Sequence, residues 1–259
     1  MLVYPQLATG ALSQFPVRKT RRQRTIVNLA ADGRSVKLAD RAGATAEWQL
    51  QYTGLSDAEL AALQQFFAAA EGSLNGFTFL DPASNLFAWS DRLDNAAWQK
   101  GPLLSATPGV ADPTGGANAW QLSNTGGAQS VSQTLPVPGG YVYCLSVYAR
   151  SAQSTTMTLL RGSDRADRVL GTNWARITFA GSGPVDATSL LFGVEMPGAA
   201  TVEVYGMQVE PQPAPSVYRA TATGGVYENA RFRDDGLSVT TTDVNRHSAT
   251  VNILYVNHL

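Results

Sequence analysis

The sequence predicts a mainly β chain with one α-helix, folded as two domains, one of which interrupts the other. Three observations carry this reading. Short apolar segments with period-two alternation recur along most of the 259 residues, punctuated by Gly, Pro, Asn and Asp. Helical spacing occurs clearly only once, over about residues 56–71. The small, polar style of residues 85–223 is flanked on both sides by sequence of a different character.

The elements follow in order. Residues 25–31 and 34–40 flank Asp32-Gly33, a pair that favours the positive φ angles of a tight hairpin turn. Trp48, Leu50 and Tyr52 share one face of a third strand. Ser56 and Glu59 then have capping-box spacing, Leu60, Leu63, Phe67 and Ala70 recur at helical intervals, and Gly72 stands where a helix stops. A short strand closed by Asp81-Pro82 follows. Beyond Asn85 the expected strands are 118–123, 129–135, 141–150, 156–161, 174–180, 188–195 and 201–209. So many short strands without helical periodicity between them indicate an antiparallel sandwich or jelly roll. Residues 211–216 (PQPAPS) cannot join a central ladder and read as a linker. Two closing strands follow, the last with Ala249, Val251, Ile253 and Tyr255 on one face. The first 82 residues offer few strands for an independent sheet domain, and the closing strands complete it. The expected organisation is a discontinuous domain, 1–84 plus 224–259, with 85–223 inserted.

Composition excludes several classes. At 44% hydrophobic and 15% charged residues the chain is globular, and a net charge of -1 gives no overall attraction to nucleic acid or anionic lipid. Basic residues nevertheless crowd the start: Arg18, Lys19, Arg21, Arg22 and Arg24, then Arg34, Lys37 and Arg41, against Asp32 and Asp40. Cys144 is the only cysteine and has no nucleophile signature around it, so a buried inert thiol is expected. No secretory signal and no spanning apolar run is recognised, so the expectation is a soluble protein made in the cytoplasm.

The chemistry of catalysis is not visible. His247 and His258 have no metal-ligand spacing and read as solvated or structural. There is no P-loop, GxSxG elbow or dinucleotide fingerprint. Asp234-Asp235-Gly236 lacks the further oxygens of a calcium loop and reads as a turn. A glycosidase needs two carboxylates facing one cleft. Glu195, Glu203 and Glu210 lie on or beside strands and Asp164 and Asp167 in a polar loop, with nothing to pair any two of them.

Three stretches carry a resemblance. The opening YPQL…FPVRKTRRQRTIVNLAADGRSVKLAD, followed by WQLQYTGLSDAELAALQQFFAAAEGSLNGFTFLDP, resembles the distal tail and minor tail proteins of long-tailed phages. The shared pattern is the LSDAE helix entry, Phe66-Phe67, Gly72 and an aromatic strand ending in Asp81-Pro82; GGVYENARFRDDGLSV…HSATVNILYV resembles the same belt domain. Residues 85–223 resemble a galactose-binding, carbohydrate-binding-module jelly roll. The resemblance implies a structural subunit of the virion tail, assembled in the host cytoplasm. Its copies would close into a ring, six being expected, between tail tube and tail-tip proteins, with the jelly roll turned outward toward host-surface glycan. Arg18, Lys19, Arg21, Arg22 and Arg24 would then serve the ring interface or line a lumen through which DNA passes as cargo, a solvated strand surface being the equal alternative. No cofactor is expected, and a calcium ion in the jelly roll, with Asp112 among its ligands, is left open.

A sugar site on a β-sandwich needs an aromatic platform beside planar hydrogen-bonding groups. In YVYCLSVYAR the face with Tyr141, Tyr143, Leu145, Val147 and Ala149 should be core, leaving Tyr148 and Arg150 on an outer face. These two are the preferred glycan contacts, with Arg161 and Glu195 as candidates from neighbouring strands. Trp98, Trp120 and Trp174 are expected in core or strand-edge packing. Three readings stand: a self-assembling tail-hub subunit, a glycan- or receptor-binding module used in adsorption, and an accessory subunit of a cell-wall-degrading complex. No enzymatic turnover is expected.

Overall fold

The structure, a computed structural model, describes residues 2–257; the reading of His258 lies outside the described residues. The chain divides into two compact units. The first comprises residues 1–8, 13–79 and 227–259, and the second residues 9–12 and 80–226.

In the first unit, β1 (Val17–Leu29) and β2 (Ser35–Leu55) form a long antiparallel hairpin. Gly33 supplies the positive φ of 79° at its tip. The separate strands expected over 34–40 and around Trp48 are one continuous strand, because β1 pairs with β2 from Leu29–Ser35 back to Val17–Leu50. Helix α1 (Asp57–Ala69) follows, then β3 (Phe77–Leu80). After the second unit come β14 (Val226–Phe232), β15 (Val239–Asp243) and β16 (Arg246–Val256). The sheet order is β1-β2-β16-β14-β3, with β15 also on β16.

The capping box forms: the Ser56 hydroxyl accepts from the Glu59 N–H, and the Glu59 carboxylate accepts from the Ser56 N–H. These bonds, led by that from the Ser56 N–H, hold the Glu59 carboxyl below the usual carboxylate range. Leu60, Leu63 and Phe66 face a core built from Tyr4, Trp48, Leu50, Phe79 and Phe232. Edge-to-face contacts organise it, with Phe66–Phe77 at 5.0 Å and Tyr4–Phe66 at 5.6 Å between centroids. Full burial of each such ring contributes about 2–3 kcal/mol. Val251 and Ile253 of β16 join this core, so the alternation of the closing strand is used as the sequence indicates. His247 is structural. It is buried, with Nε2 2.7 Å from Asp57 and Nδ1 2.9 Å from Thr241. The Asp235 carboxylate accepts from the Ser73 N–H and hydroxyl, so the Asp234-Asp235-Gly236 turn braces the turn after α1.

The second unit is an antiparallel jelly-roll β-sandwich. Its strands are β4 (Gln99–Lys100), β5 (Leu104–Val110), β6 (Ala119–Asn124), β7 (Gln129–Leu135) and β8 (Tyr143–Arg150), then β9 (Thr155–Arg161), β10 (Asp164–Leu170), β11 (Ala175–Gly181), β12 (Leu190–Met196) and β13 (Thr201–Glu210). One sheet runs β10-β9-β12-β7-β4 and the other β11-β8-β13-β6-β5. Between them lie Tyr143, Leu145, Val147, Leu159, Phe192, Val194, Val202 and Val204, all buried. Trp98 and Trp120 are buried as expected.

Two local expectations are corrected and two strands are added. Asp164 and Asp167 do not sit in a loop but on β10, a strand whose exposed, charged pattern hid its pairing with β9. The short β4 and the Pro108- and Gly109-bearing β5 escape a periodicity reading. Residues 211–216 are no free linker: they fold back within the second unit, tied to its sheet by Glu210.

Candidate functional site

The outer face of the second sheet gathers the side chains with binding chemistry. On β8, Tyr143, Leu145, Val147 and Ala149 turn inward, so Ser146, Tyr148 and Arg150 turn outward by the period-two rule. Register places Tyr205 of β13 opposite Tyr148, Glu203 opposite Arg150, and Arg176 of β11 on the other side of Tyr148. The Tyr148 and Tyr205 rings lie 6.0 Å apart. The Arg176 guanidinium sits 5.3 Å over the Tyr148 ring and donates to the Ser146 hydroxyl at 3.0 Å. Arg150 donates from Nε to Glu203 at 2.5 Å and lies 4.7 Å over the half-buried Trp174 ring.

A third tyrosine reaches this face from outside the sheet. At Gly206 (φ 66°) β13 bulges, shifting its register with β8 between Tyr205 and Gln208. A Cβ at Gly206 would come within 3.0 Å of the Tyr218 ring, so glycine lets that ring lie against the backbone. Tyr218 stands 5.3 Å from Tyr205, edge to face, and its hydroxyl is 3.1 Å from that of Ser90. What holds Tyr218 there is Glu210. Its buried carboxylate accepts from the Ser216 N–H and hydroxyl, from Gln208 and from Gln212, which folds segment 211–218 onto the strand that bears it. A buried carboxylate with four donors is satisfied and structural.

Two grooves adjoin the tyrosines. One, of about 520 Å³, is lined by Tyr205, Tyr218, Trp120, Asp91 and Asp94. The other, of about 400 Å³, is lined by Glu203, Gln121 and residues 151–155. Tyr205 and Glu203 are two residues apart on one strand face, roughly 7 Å by strand rise. The two grooves thus border neighbouring positions of β13, and the half-buried ring of Tyr148 lies across the ladder from Tyr205. Rings for stacking beside a guanidinium, carboxylates and an amide give both parts of a sugar-binding surface.

The expected partners of Tyr148 and Arg150 are placed elsewhere. Arg161 occupies a core-side position of β9, 6% exposed, packed 4.2 Å over the Phe179 ring and paired with Asp164. It shares the inward parity of Met157 and Leu159, which period-two counting from β9 alone reveals. Glu195 faces outward from the opposite sheet, 2.6 Å from Arg165. Neither reaches the tyrosine face. Missed in sequence were Tyr205 and Glu203, although Thr201, Glu203 and Tyr205 alternate legibly with buried Val202 and Val204. Tyr218 carried no such signal, since a turn and not a strand places it.

The basic residues of the first unit divide between two faces. Arg18 and Arg22 share the face of Glu47, with Arg22 3.2 Å from that carboxylate. Lys19 lies on the opposite face, 5.2 Å over the Trp48 ring, and is spent within its own unit, and Arg21 has the same parity. Arg24 pairs with Asp40 at 3.5 Å.

The Asp112 carboxylate accepts from the N–H groups of Thr114, Gly116 and Asn118, and from the Thr114 hydroxyl and the Asn118 amide. The Thr114 hydroxyl foremost drives its pKa well below the usual carboxylate range. Both oxygens are occupied by its own loop, which makes it a turn organiser. Among the described residues no group of three or more His, Cys, Asp or Glu has metal-holding geometry. Burial, then the nearby Glu210 carboxylate, pushes the Cys144 thiol up to about 11, the opposite of a reactive cysteine. No described helix is long and apolar enough to cross a membrane.

No protein-family model matches the chain, and no curated protein matches it. Among solved structures, the enzymatically active domain of bacteriophage CBA120 tailspike protein 4 is 15% identical over 51% of this chain, with a TM-score of 0.40. The match spans 22% of that chain. The xylan-binding domain CBM22-1 of Paenibacillus barcinonensis Xyn10C is 14% identical over 51% of this chain and 94% of its own, with a TM-score of 0.40. The C-terminal family 22 carbohydrate-binding module of Clostridium thermocellum Xyn10B is 16% identical over 54% of this chain and 99% of its own, at 0.41. The jelly-roll assignment rests on the strand order above.

Proposed function

We propose that the jelly roll is a glycan-binding module and that the first unit is the self-assembling part of a tail-hub subunit, of the distal tail protein kind, that carries it. The observation that carries the first half is the run Tyr148–Tyr205–Tyr218 on one outer sheet face, flanked by Arg150 and Glu203. Half-buried rings fixed by neighbours lose little entropy on binding and match the apolar face of a pyranose. The hydroxyl rim is served by Glu203, by Gln121 and by the Arg150 guanidinium.

The second half is supported by the long β1–β2 hairpin, whose outer portion projects past the pairing partners of its own sheet. Such an edge is commonly capped by a neighbouring subunit. In this reading the partners are further copies of the chain, tail proteins above and below, and a host-surface glycan. The reading includes no catalytic step: the Glu203 carboxylate, ion-paired with Arg150, serves only as a hydrogen-bond acceptor, and Glu210 is buried and saturated.

The test is affinity electrophoresis and calorimetry against a panel of soluble bacterial-surface and plant polysaccharides. Saturable binding by the full chain, lost in Tyr148→Ala or Arg150→Ala, supports the glycan reading. Binding that both variants retain would remove the site. Release of new reducing ends from any panel member would contradict the absence of catalysis.

A further inference from the structure

The groove of about 520 Å³ beside Tyr205 and Tyr218 is one-sided in its polar groups. Its nitrogen donors are engaged within the chain. The Trp120 indole N–H donates to the Asp91 carbonyl oxygen at 3.0 Å. Arg92 donates to Asp94 from Nε at 2.9 Å and from Nη2 at 2.8 Å, which occupies both oxygens of that carboxylate. A bidentate pair of this kind cancels its own charge. The Asn118 amide nitrogen donates to Asp112 at 2.9 Å.

An acceptor is left over. The Asp91 carboxylate is exposed and makes no hydrogen bond or ion pair among the described residues. With Arg92 and Asp94 paired, it gives the groove one net negative charge. Its backbone is pinned on both sides, because the Ser90 N–H donates to the Thr221 carbonyl at 2.9 Å and the Trp120 indole holds the Asp91 carbonyl. The carboxylate lies near the Tyr218 ring: burial foremost, and the Asp91 charge after it, raise the Tyr218 hydroxyl above its ordinary range.

A groove that accepts without donating, with an anion beside two half-buried tyrosine rings, is complementary to a ligand that donates and is cationic. An ammonium group pairs with the carboxylate and is attracted by the ring faces as well. Resting on the glycan reading above, we propose that this groove selects glycans with free amino sugars, the sugar ring stacking on Tyr205 and its ammonium set between Asp91 and Tyr218. N-acetylation removes that charge and adds a carbonyl, an acceptor for which the groove has no donor to offer.

Calorimetry on the full chain with the glucosamine hexamer and the N-acetylglucosamine hexamer tests this. The expected result is about tenfold tighter binding of the glucosamine hexamer, an advantage that shrinks as salt rises. Asp91→Asn should abolish the advantage and leave the N-acetylglucosamine hexamer unchanged. Arg92→Gln, which releases Asp94, should widen it about threefold. Both positions are exposed, and unchanged thermal unfolding checks that the variants fold. Equal binding of the two hexamers, or an advantage that survives Asp91→Asn, would overturn the charge selection. The same holds if neither hexamer binds while a neutral polysaccharide is bound and Tyr148→Ala abolishes that binding; the glycan reading then stands alone. Binding of no glycan at all would overturn both.

Discussion

The two outer faces of the jelly roll share one architecture and differ in what they display. Each belongs to a five-stranded antiparallel sheet. On the β10-β9-β12-β7-β4 face, Thr156, Thr158, Gly193 and Glu195 alternate outward, and the polar groups satisfy one another: Arg165 with Glu195 at 2.6 Å, Thr158 with Asp167 at 2.7 Å. On the other face stand three tyrosines, a tryptophan and two arginines whose planes lie over rings. The fold permits either surface. What separates them is a few outward positions and one folded-back segment, which is why function has to be argued from a site and not from a sandwich.

That contrast can be broken most forcefully at the tyrosines. Replacing both Tyr148 and Tyr205 with alanine should lower polysaccharide affinity about a hundredfold, near 2.7 kcal/mol, by calorimetry. Glu210→Ala is next. It removes the acceptor shared by Ser216, Gln208 and Gln212, and thermal unfolding should show a loss of about 2 kcal/mol together with weaker binding, since Tyr218 loses its anchor.

Asp112→Ala should cost about 1–2 kcal/mol by denaturant titration, without touching the tyrosine face. The sign of its pH dependence is fixed. A carboxyl depressed in the folded state contributes fully above its unfolded value of about 3.9, and the contribution fades as pH falls through the far lower folded value. Near-ultraviolet dichroism of the wild type should therefore hold through mild acid, and an acid transition unchanged by Asp112→Asn would refute this. In the first unit, Ser56→Ala should cost about 1 kcal/mol by loss of the cap and leave glycan affinity unaltered. Smallest of all, Glu195→Ala on the opposite face should move stability by less than about 0.5 kcal/mol and affinity by less than twofold.

How much of this was legible in the sequence follows the range of each determinant. The helix announced itself through Ser56, Glu59 and Gly72, because caps are local chemistry. The outward facing of Tyr148 and Arg150 came from period-two counting within β8. Their neighbours did not come that way. Strand order set Tyr205 and Glu203 beside them and sent Glu195 to the far sheet, and pairing between distant strands has no signature in a short window. Arg161 misled for a different reason: a guanidinium packed over Phe179 fills a core-side position that alternation assigns to apolar residues. Tyr218 depends on Gly206 and Glu210 acting together across a turn, a coincidence visible only in three dimensions.

The most direct test of the glycan face is hydrogen–deuterium exchange of the full chain with and without a saturating polysaccharide. Protection confined to peptides covering 91–94, 119–124, 143–154 and 201–221 is the predicted result. Protection over 155–170 and 190–196, or no protection with any polysaccharide of the panel, would contradict it.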